Sequence, residues 1–176
     1  MSLCPHCQTL SSRRSALKLL GSAVLLSSLS SLGSTAQASP PRAQALILSC
    51  IDFRFIQPEQ DFLNQKWGGQ YDWVSLAGAA LALTGFPQPA EAATFWDQLD
   101  LSRRLHQIQR VVILDHQDCG AYAAQIDPNL SQDPEREYQI HSRYLQEARQ
   151  DIQRRYPDLG VELYFVTLAS EFRPVL

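Results

Sequence analysis

Two short apolar runs, one followed directly by a cysteine and the other by a histidine, constrain the fold of this chain most strongly. Residues 45–49 read Ala-Leu-Ile-Leu-Ser and precede Cys50, and residues 110–115 read Arg-Val-Val-Ile-Leu-Asp and precede His116. Continuous apolar runs of this length are typical of parallel strands that are covered on both faces. Ligands bind at the carboxyl ends of the strands in such sheets, so we expect Cys50 and His116 to lie at one edge of the sheet.

Weaker strand patterns and two helical patterns alternate with these runs. The strands are expected at residues 72–76 and 161–167, and the helices at residues 90–109 and 133–155. Asp133 and Pro134 favour the start of the second helix, because Asp is a good N-cap and Pro a good first residue. The alternation predicts an α/β fold, with a mostly parallel central sheet of about four to five strands flanked by helices.

The first 38 residues have the pattern of an export signal. Residues 12–18, Ser-Arg-Arg-Ser-Ala-Leu-Lys, match the twin-arginine form S-R-R-x-x-L-K, an apolar stretch follows at residues 19–29, and Ala36-Gln37-Ala38 forms an A-x-A cleavage site. We therefore expect residues 1–38 to be removed after export to the periplasm or the thylakoid lumen. The apolar stretch is too short for a permanent membrane anchor.

Loss of residues 1–38 would leave a single acidic domain at residues 39–176. The whole chain has 15 Lys and Arg and 18 Asp and Glu. The signal segment holds three basic residues and no acidic one, so the remainder would carry 12 basic and 18 acidic residues, a net charge of −6. Such a balance gives no basic footprint for nucleic acid, and we expect no nucleic-acid partner.

The predicted cleavage also changes which cysteines matter. Cys4 and Cys7 would leave with the signal, and Cys50 and Cys119 would be the only thiols of the exported protein. Two cysteines in an oxidising compartment favour a disulfide. The twin-arginine route characteristically exports proteins already folded, and a metal loaded before export would keep both thiolates occupied. Both interpretations remain open at the level of the sequence.

The residues around the two strand ends suit a zinc site. Cys50, His116 and Cys119 offer two thiolates and one imidazole, and three ligands leave the fourth position of a tetrahedral zinc ion open for water, whose pKa zinc can lower to about 7. Asp52 and Arg54 are spaced i, i+2, so their side chains can pair on one side of an extended segment. The paired Asp52 could assist catalysis. Unpaired, it could close the site as a fourth ligand.

These motifs resemble those of one known family. Cys-Ile-Asp-Phe-Arg at residues 50–54 and His-Gln-Asp-Cys-Gly at residues 116–120 match the C-x-D-x-R and H-x-x-C-G signature of β-class carbonic anhydrases, most similar to the small prokaryotic members. The resemblance implies one zinc ion per subunit, held by Cys50, His116 and Cys119, with Asp52 and Arg54 as the catalytic dyad.

By the same resemblance, the chain would interconvert carbon dioxide and bicarbonate by attack of metal-bound hydroxide. It would assemble as a homodimer or a higher oligomer, with active sites at the subunit interface.

The chain departs from the family pattern near the expected pocket. Residues 75–79, Ser-Leu-Ala-Gly-Ala, keep only Ala-Gly of the usual Arg-Asn-Ala-Gly-Asn, Ala121 replaces a glycine, and Asp115 and Phe53 are unusual choices. Two alternatives therefore stay open: a related hydrolase of carbonyl sulfide or carbon disulfide, and a non-catalytic binding module stabilised by zinc.

Overall fold

The computed structural model describes residues 42–176, and the predicted signal peptide at residues 1–38 lies outside the described residues. Strands and helices alternate along the chain, as the sequence pattern predicted. In chain order they are β1 (Ala45–Ser49), α1 (Ile56–Trp67), β2 (Tyr71–Ser75), a 3-10 helix (Ala79–Thr84), α2 (Pro89–His106), β3 (Arg110–His116), α3 (Gly120–Gln125), a second 3-10 helix (Leu130–Gln132), α4 (Pro134–Arg155), β4 (Gly160–Val166) and β5 (Phe172–Pro174).

The five strands form one sheet in the order β2-β1-β3-β4-β5. The first four are parallel, and β5 runs antiparallel to β4 at the edge. This confirms the predicted α/β fold with a mostly parallel sheet. Ser49 of β1 pairs with Leu114 of β3, so the residues that follow these two positions meet at the same carboxyl edge.

Helices cover both faces of the two central strands. Side chains alternate between the faces along a strand, so the even-numbered residues of β1 contact one core and the odd-numbered residues the other. Leu46 and Leu48 pack with residues of α2 and α4, whereas Ala45 and Ile47 pack with residues of α1. Burial on both sides explains why the run at residues 45–49 is apolar throughout.

The two longest helices follow the predicted bounds closely, with one difference in α2. Asp133 caps α4 by accepting a hydrogen bond from the backbone N–H of Arg136, as an N-cap aspartate is expected to do. Helix α2, however, ends at His106 rather than at residue 109, and its buried residues are Phe95, Leu99 and Ser102.

The sequence pattern missed α1 and β5. Helix α1 has no side-chain N-cap hydrogen bond, and its buried face consists of Glu59, Leu63 and Trp67. A charged residue in this face weakens the apolar periodicity by which helices are recognised. Within residues 42–176, no helix is both long enough and apolar enough to cross a bilayer.

Candidate metal centre

Cys50, His116 and Cys119 come together at the carboxyl edge of the sheet. Cys50 follows β1, His116 is the last residue of β3, and Cys119 lies just after it, directly before α3. One ligand atom from each lies within 4.8 Å of the other two, and all three residues are buried. The parallel pairing of β1 with β3 brings these residues to one place from positions 66 to 69 residues apart in the chain.

The separation of the two sulfurs suits a shared metal ion. Cys50 Sγ and Cys119 Sγ are 3.9 Å apart and both cysteines are free. A disulfide requires about 2.05 Å, so the disulfide interpretation does not describe this structure. Two thiolates at about 2.3 Å from one tetrahedral zinc ion would lie about 3.8 Å from each other. The observed spacing therefore fits two ligands of one ion.

His116 is oriented as a metal ligand. Its Nδ1 donates a hydrogen bond to the carbonyl oxygen of Gln117 at 2.8 Å, which leaves the lone pair on Nε2. That Nε2 is buried and has no hydrogen-bond partner among the described residues. An unsatisfied buried polar atom costs about 1–3 kcal/mol, and a metal ion bound there would remove the cost. The Phe55 ring stacks on the imidazole with centroids 4.2 Å apart and helps to hold it in place.

A backbone amide supports the Cys50 sulfur. Gly78, which lies just after β2, donates its N–H to Cys50 Sγ at 3.3 Å. Its φ is +79°, and a Cβ at this position would lie 3.0 Å from the Cβ of Ala121 and 3.1 Å from that of Leu81. Only glycine fits this position without displacing its neighbours. Residues 75–79 thus retain the glycine whose N–H contacts the Cys50 sulfur.

The thiols of Cys50 and Cys119 differ in acidity. A hydrogen bond from Cys119 is the main cause that lowers the pKa of Cys50 to about 4, and the same contact raises the pKa of Cys119. One thiolate is therefore available to a metal ion at neutral pH. Binding through both sulfurs requires Cys119 to release its proton.

Asp52 and Arg54 form the ion pair that their spacing predicted. Arg54 donates from Nε to Asp52 Oδ1 at 3.0 Å and from Nη2 to Oδ2 at 2.7 Å, which is a bidentate contact. These hydrogen bonds are the main cause that lowers the pKa of Asp52. Asp52 Oδ2 also lies 3.9 Å from His116 Nε2. An ionised carboxylate therefore stands beside the ligand cluster and is held there by Arg54.

Arg54 has a second carboxylate partner, which sequence reasoning did not identify. Its Nη1 donates to Asp118 Oδ2 at 2.8 Å and its Nη2 to the Asp118 carbonyl oxygen at 2.9 Å. Asp118 has a left-handed backbone (φ +56°), which turns its side chain and carbonyl toward Arg54. The only signal for this contact in the sequence was the position of Asp118 directly before Cys119. Arg54 thereby joins the two sequence motifs.

A cleft of about 470 Å³ opens beside Cys50 and Asp52. Its lining is mostly apolar, and two of its members, Ile51 and Phe53, are 62% and 82% exposed at the rim. Ala121, one of the departures from the family pattern, also lines it. The other lining residues are Ala77, Phe86, Pro87 and Gly120. The cleft therefore offers a small apolar space next to an ionised carboxylate and the ligand cluster.

Comparisons with known proteins agree on one family. A family model described as "Putative carbonic anhydrase" matches residues 41–176. Two uncharacterized proteins are similar over 128 residues, or 72% of this chain: one from Rickettsia bellii at 35% identity, covered over 77% of its length, and one from Rickettsia conorii at 36% identity, covered over 68%.

Solved structures show the same fold. The β-carbonic anhydrase CafA of Aspergillus fumigatus has a TM-score of 0.55 at 16% identity, with 76% of each chain covered. A structure reported among two tetrameric β-carbonic anhydrases of Sordaria macrospora has a TM-score of 0.54 at 10% identity, with 77% of this chain and 81% of that one covered.

Proposed function

The chain belongs to the β-carbonic anhydrase family, and from this premise we propose that it catalyses the zinc-dependent, reversible hydration of carbon dioxide to bicarbonate. One observation carries the proposal: the buried Cys50, His116 and Cys119 ligand set lies beside an Asp52 that Arg54 holds ionised. Zinc held by these three residues would supply a Lewis acid that makes a coordinated water acidic enough to react near neutral pH.

The surrounding residues have distinct tasks in this proposal. Asp52 accepts a hydrogen bond from the reacting water and orients it, since its carboxylate stands 3.9 Å from His116 Nε2. Arg54 would keep Asp52 from binding the metal itself, because both Asp52 oxygens accept hydrogen bonds from its guanidinium. This arrangement favours the open site over the closed one. The reaction combines carbon dioxide and water into bicarbonate and one proton, which passes to solvent.

The apolar cleft suits a small linear substrate without charge. Ile51, Phe53 and Phe86 offer no hydrogen bond to hold such a molecule or its product. Carbon dioxide would therefore bind in the cleft by weak apolar contacts. Bicarbonate is charged, so the apolar lining would disfavour its binding and promote its release. Carbonyl sulfide and carbon disulfide share this shape, so they belong in the test of the substrate.

We also propose a homodimer or higher oligomer and export by the twin-arginine route. Two exposed apolar side chains, Ile51 and Phe53, lie at the rim of the cleft, and the exposed Ile56 follows them in the chain; an assembly would cover them. The tetrameric relatives of the same fold support an oligomer. The export proposal rests on the arginine pair at residues 13–14 and its flanking sequence.

Zinc analysis together with stopped-flow kinetics tests the proposed activity. We expect one zinc ion per chain and rapid hydration of carbon dioxide at neutral or alkaline pH, with the metal and the activity both lost in Cys119→Ser. Protein that binds zinc but acts on none of the three substrates would support the non-catalytic module instead. Protein that binds no zinc would overturn both interpretations.

A further inference from the structure

A buried carboxylate outside the ligand set, Asp115, joins three different elements. It is 1% exposed and precedes His116 in β3. Its Oδ1 accepts a hydrogen bond from the backbone N–H of Ala80 at 3.0 Å. Its Oδ2 accepts one from the Tyr122 hydroxyl at 2.6 Å and one from His141 Nδ1 at 2.9 Å. We call these four residues the Asp115 cluster.

Two of the three partners of Asp115 lie close in the chain to residues of the candidate metal centre. Ala80 lies two residues after Gly78, whose N–H contacts Cys50 Sγ. Tyr122 is in α3, three residues after Cys119, and Asp115 itself is bonded to His116. A single carboxylate therefore links the segments that position both sulfurs and the imidazole.

Helix α4 supports the same turn at a second point. His141 contacts Asp115, and Glu137, one helical turn earlier, accepts the backbone N–H of Asp118 at 2.6 Å. Both α4 residues are buried. The Tyr122 and His141 rings are in contact, with centroids 3.6 Å apart and planes tilted by 33°, and this contact helps to hold the Tyr122 hydroxyl against Asp115. Two hydrogen bonds thus connect α4 to this part of the chain, one to Asp118 within the turn from His116 to Cys119 and one to Asp115 directly before it.

The position of Asp115 is not explained by packing alone. Strand alternation places it on the same face as Val111 and Ile113, in the core shared with α4. A fully apolar arrangement of Asp115 and its partners would avoid the desolvation of a carboxylate, and such arrangements are often at least as stable. Asp115 satisfies its desolvated oxygens with three donors, and those donors belong to the segments around the metal centre.

We propose that Asp115 is a positioning residue for the metal centre. It touches none of the three ligand atoms and acts through Ala80, Tyr122 and His141, which set the separation between the Cys50 and Cys119 sulfurs. Residues that orient metal ligands from behind typically change metal affinity by about 10–100-fold when replaced. The inference rests on the proposed function only in that Cys50, His116 and Cys119 bind zinc.

Zinc affinity and the cobalt spectrum test this role without an activity assay. The full chain is used with Cys4→Ser and Cys7→Ser, so that Cys50 and Cys119 are its only thiols. Affinity is measured by competition with a chromophoric chelator, and site geometry by the thiolate-to-metal absorption of the Co²⁺ form. We expect Asp115→Asn to lose about 10–100-fold in zinc affinity, with a shifted cobalt spectrum, and Tyr122→Phe to show a smaller loss of the same kind.

Tyr144→Phe is the matched control. The Tyr144 ring contacts the Tyr122 ring with centroids 5.4 Å apart, yet its hydroxyl does not contact Asp115. We expect this variant to keep the parent affinity and spectrum. Unchanged affinity and spectrum in both Asp115→Asn and Tyr122→Phe, whatever their thermal stability, would overturn the proposal.

A pair of His141 variants decides the question if Asp115→Asn does not fold. His141→Asn keeps an N–H donor near the place of Nδ1, whereas His141→Leu removes it. We expect higher zinc affinity in the Asn variant, and equal affinities would overturn the proposal. A parent protein that binds no zinc would refute the proposed function and this inference together. A parent that binds zinc, with variants of unchanged affinity and spectrum, would refute this inference alone.

Discussion

Two aspartates flank the candidate metal centre in opposite environments. The Asp52 side chain is 17% exposed and is held by one arginine that is itself 36% exposed. Asp115 has a completely buried side chain and accepts hydrogen bonds from three separate elements. The first carboxylate can exchange partners by rotating its side chain, but the second cannot move without breaking core contacts. The centre thus combines a fixed support, Asp115 in the core, with an adjustable group, Asp52, nearer the surface.

The largest expected effect comes from removing each carboxylate in turn and comparing stability. Asp115→Ala would leave the Tyr122 hydroxyl, His141 Nδ1 and the Ala80 N–H unpaired in the core, with an expected loss of about 3–5 kcal/mol in the free energy of unfolding. Asp52→Ala should lose less than about 1 kcal/mol, because its ion pair is near the surface. Urea unfolding measures both. Similar losses in the free energy of unfolding for the two variants would contradict the distinction between Asp115 as a fixed support and Asp52 as an adjustable group.

Glu59 is a buried carboxylate that, unlike Asp115, has an oxygen without a hydrogen bond to offset the cost of its burial. Burial raises the pKa of Glu59 to about 8 from its ordinary value of 4.5, and its Oε1 has no hydrogen-bond partner among the described residues. Between these pH values the native state keeps a proton that the unfolded chain releases, so the free energy of unfolding should fall as pH rises. Glu59→Gln should remove this fall, which we expect to be about 2–4 kcal/mol.

Urea unfolding from pH 4.5 to pH 8 measures the Glu59 effect as a difference between wild type and variant. Glu147→Gln, which removes an exposed carboxylate from α4, is the matched control. A difference between wild type and Glu59→Gln that stays constant across this range would refute the prediction.

Asp52→Asn should separate catalysis from metal binding. The amide keeps the size of the side chain but is a weaker acceptor, so we expect hydration of carbon dioxide to fall by about 100-fold with zinc content unchanged. The ratio corresponds to about 2.7 kcal/mol of transition-state stabilisation. Stopped-flow kcat/KM and metal analysis of the same sample give the two values. Loss of zinc along with activity would show that Asp52 supports the metal rather than the reaction.

The smallest expected effect is the pH dependence of the Asp52–Arg54 pair. Because Arg54 lowers the pKa of Asp52, the pair stabilises the native state fully at pH values above the usual aspartate pKa, and the contribution is lost as pH falls from that value through the lowered native pKa. We expect Arg54→Met to cost less than about 1 kcal/mol at neutral pH and less still at strongly acidic pH, where the hydrogen bond from Arg54 to the Asp118 carbonyl oxygen remains. Unfolding curves across the acid range show whether the difference between wild type and variant shrinks.

Much of the fold was predictable because local patterns and tertiary structure agree. The run at residues 45–49 is β1 with the predicted bounds, and Asp133 caps α4 as expected. The pattern failed at α1, where Glu59 occupies a buried position, and at β5, which is only three residues long. In both places the element depends on contacts with the rest of the chain rather than on its own periodicity.

The amino-acid sequence by itself determined the candidate ligand set and brought Asp52 and Arg54 within reach of each other, because strand-end positions and an i, i+2 spacing are local properties. Only the tertiary structure decided that Asp52 faces Arg54, that Arg54 also binds Asp118, and that Asp115 joins Ala80, Tyr122 and His141. The Asp115 contacts span 7 to 35 residues of sequence. Their formation depends on how the 3-10 helix, α3 and α4 pack on the edge of the sheet, and no local pattern records that packing.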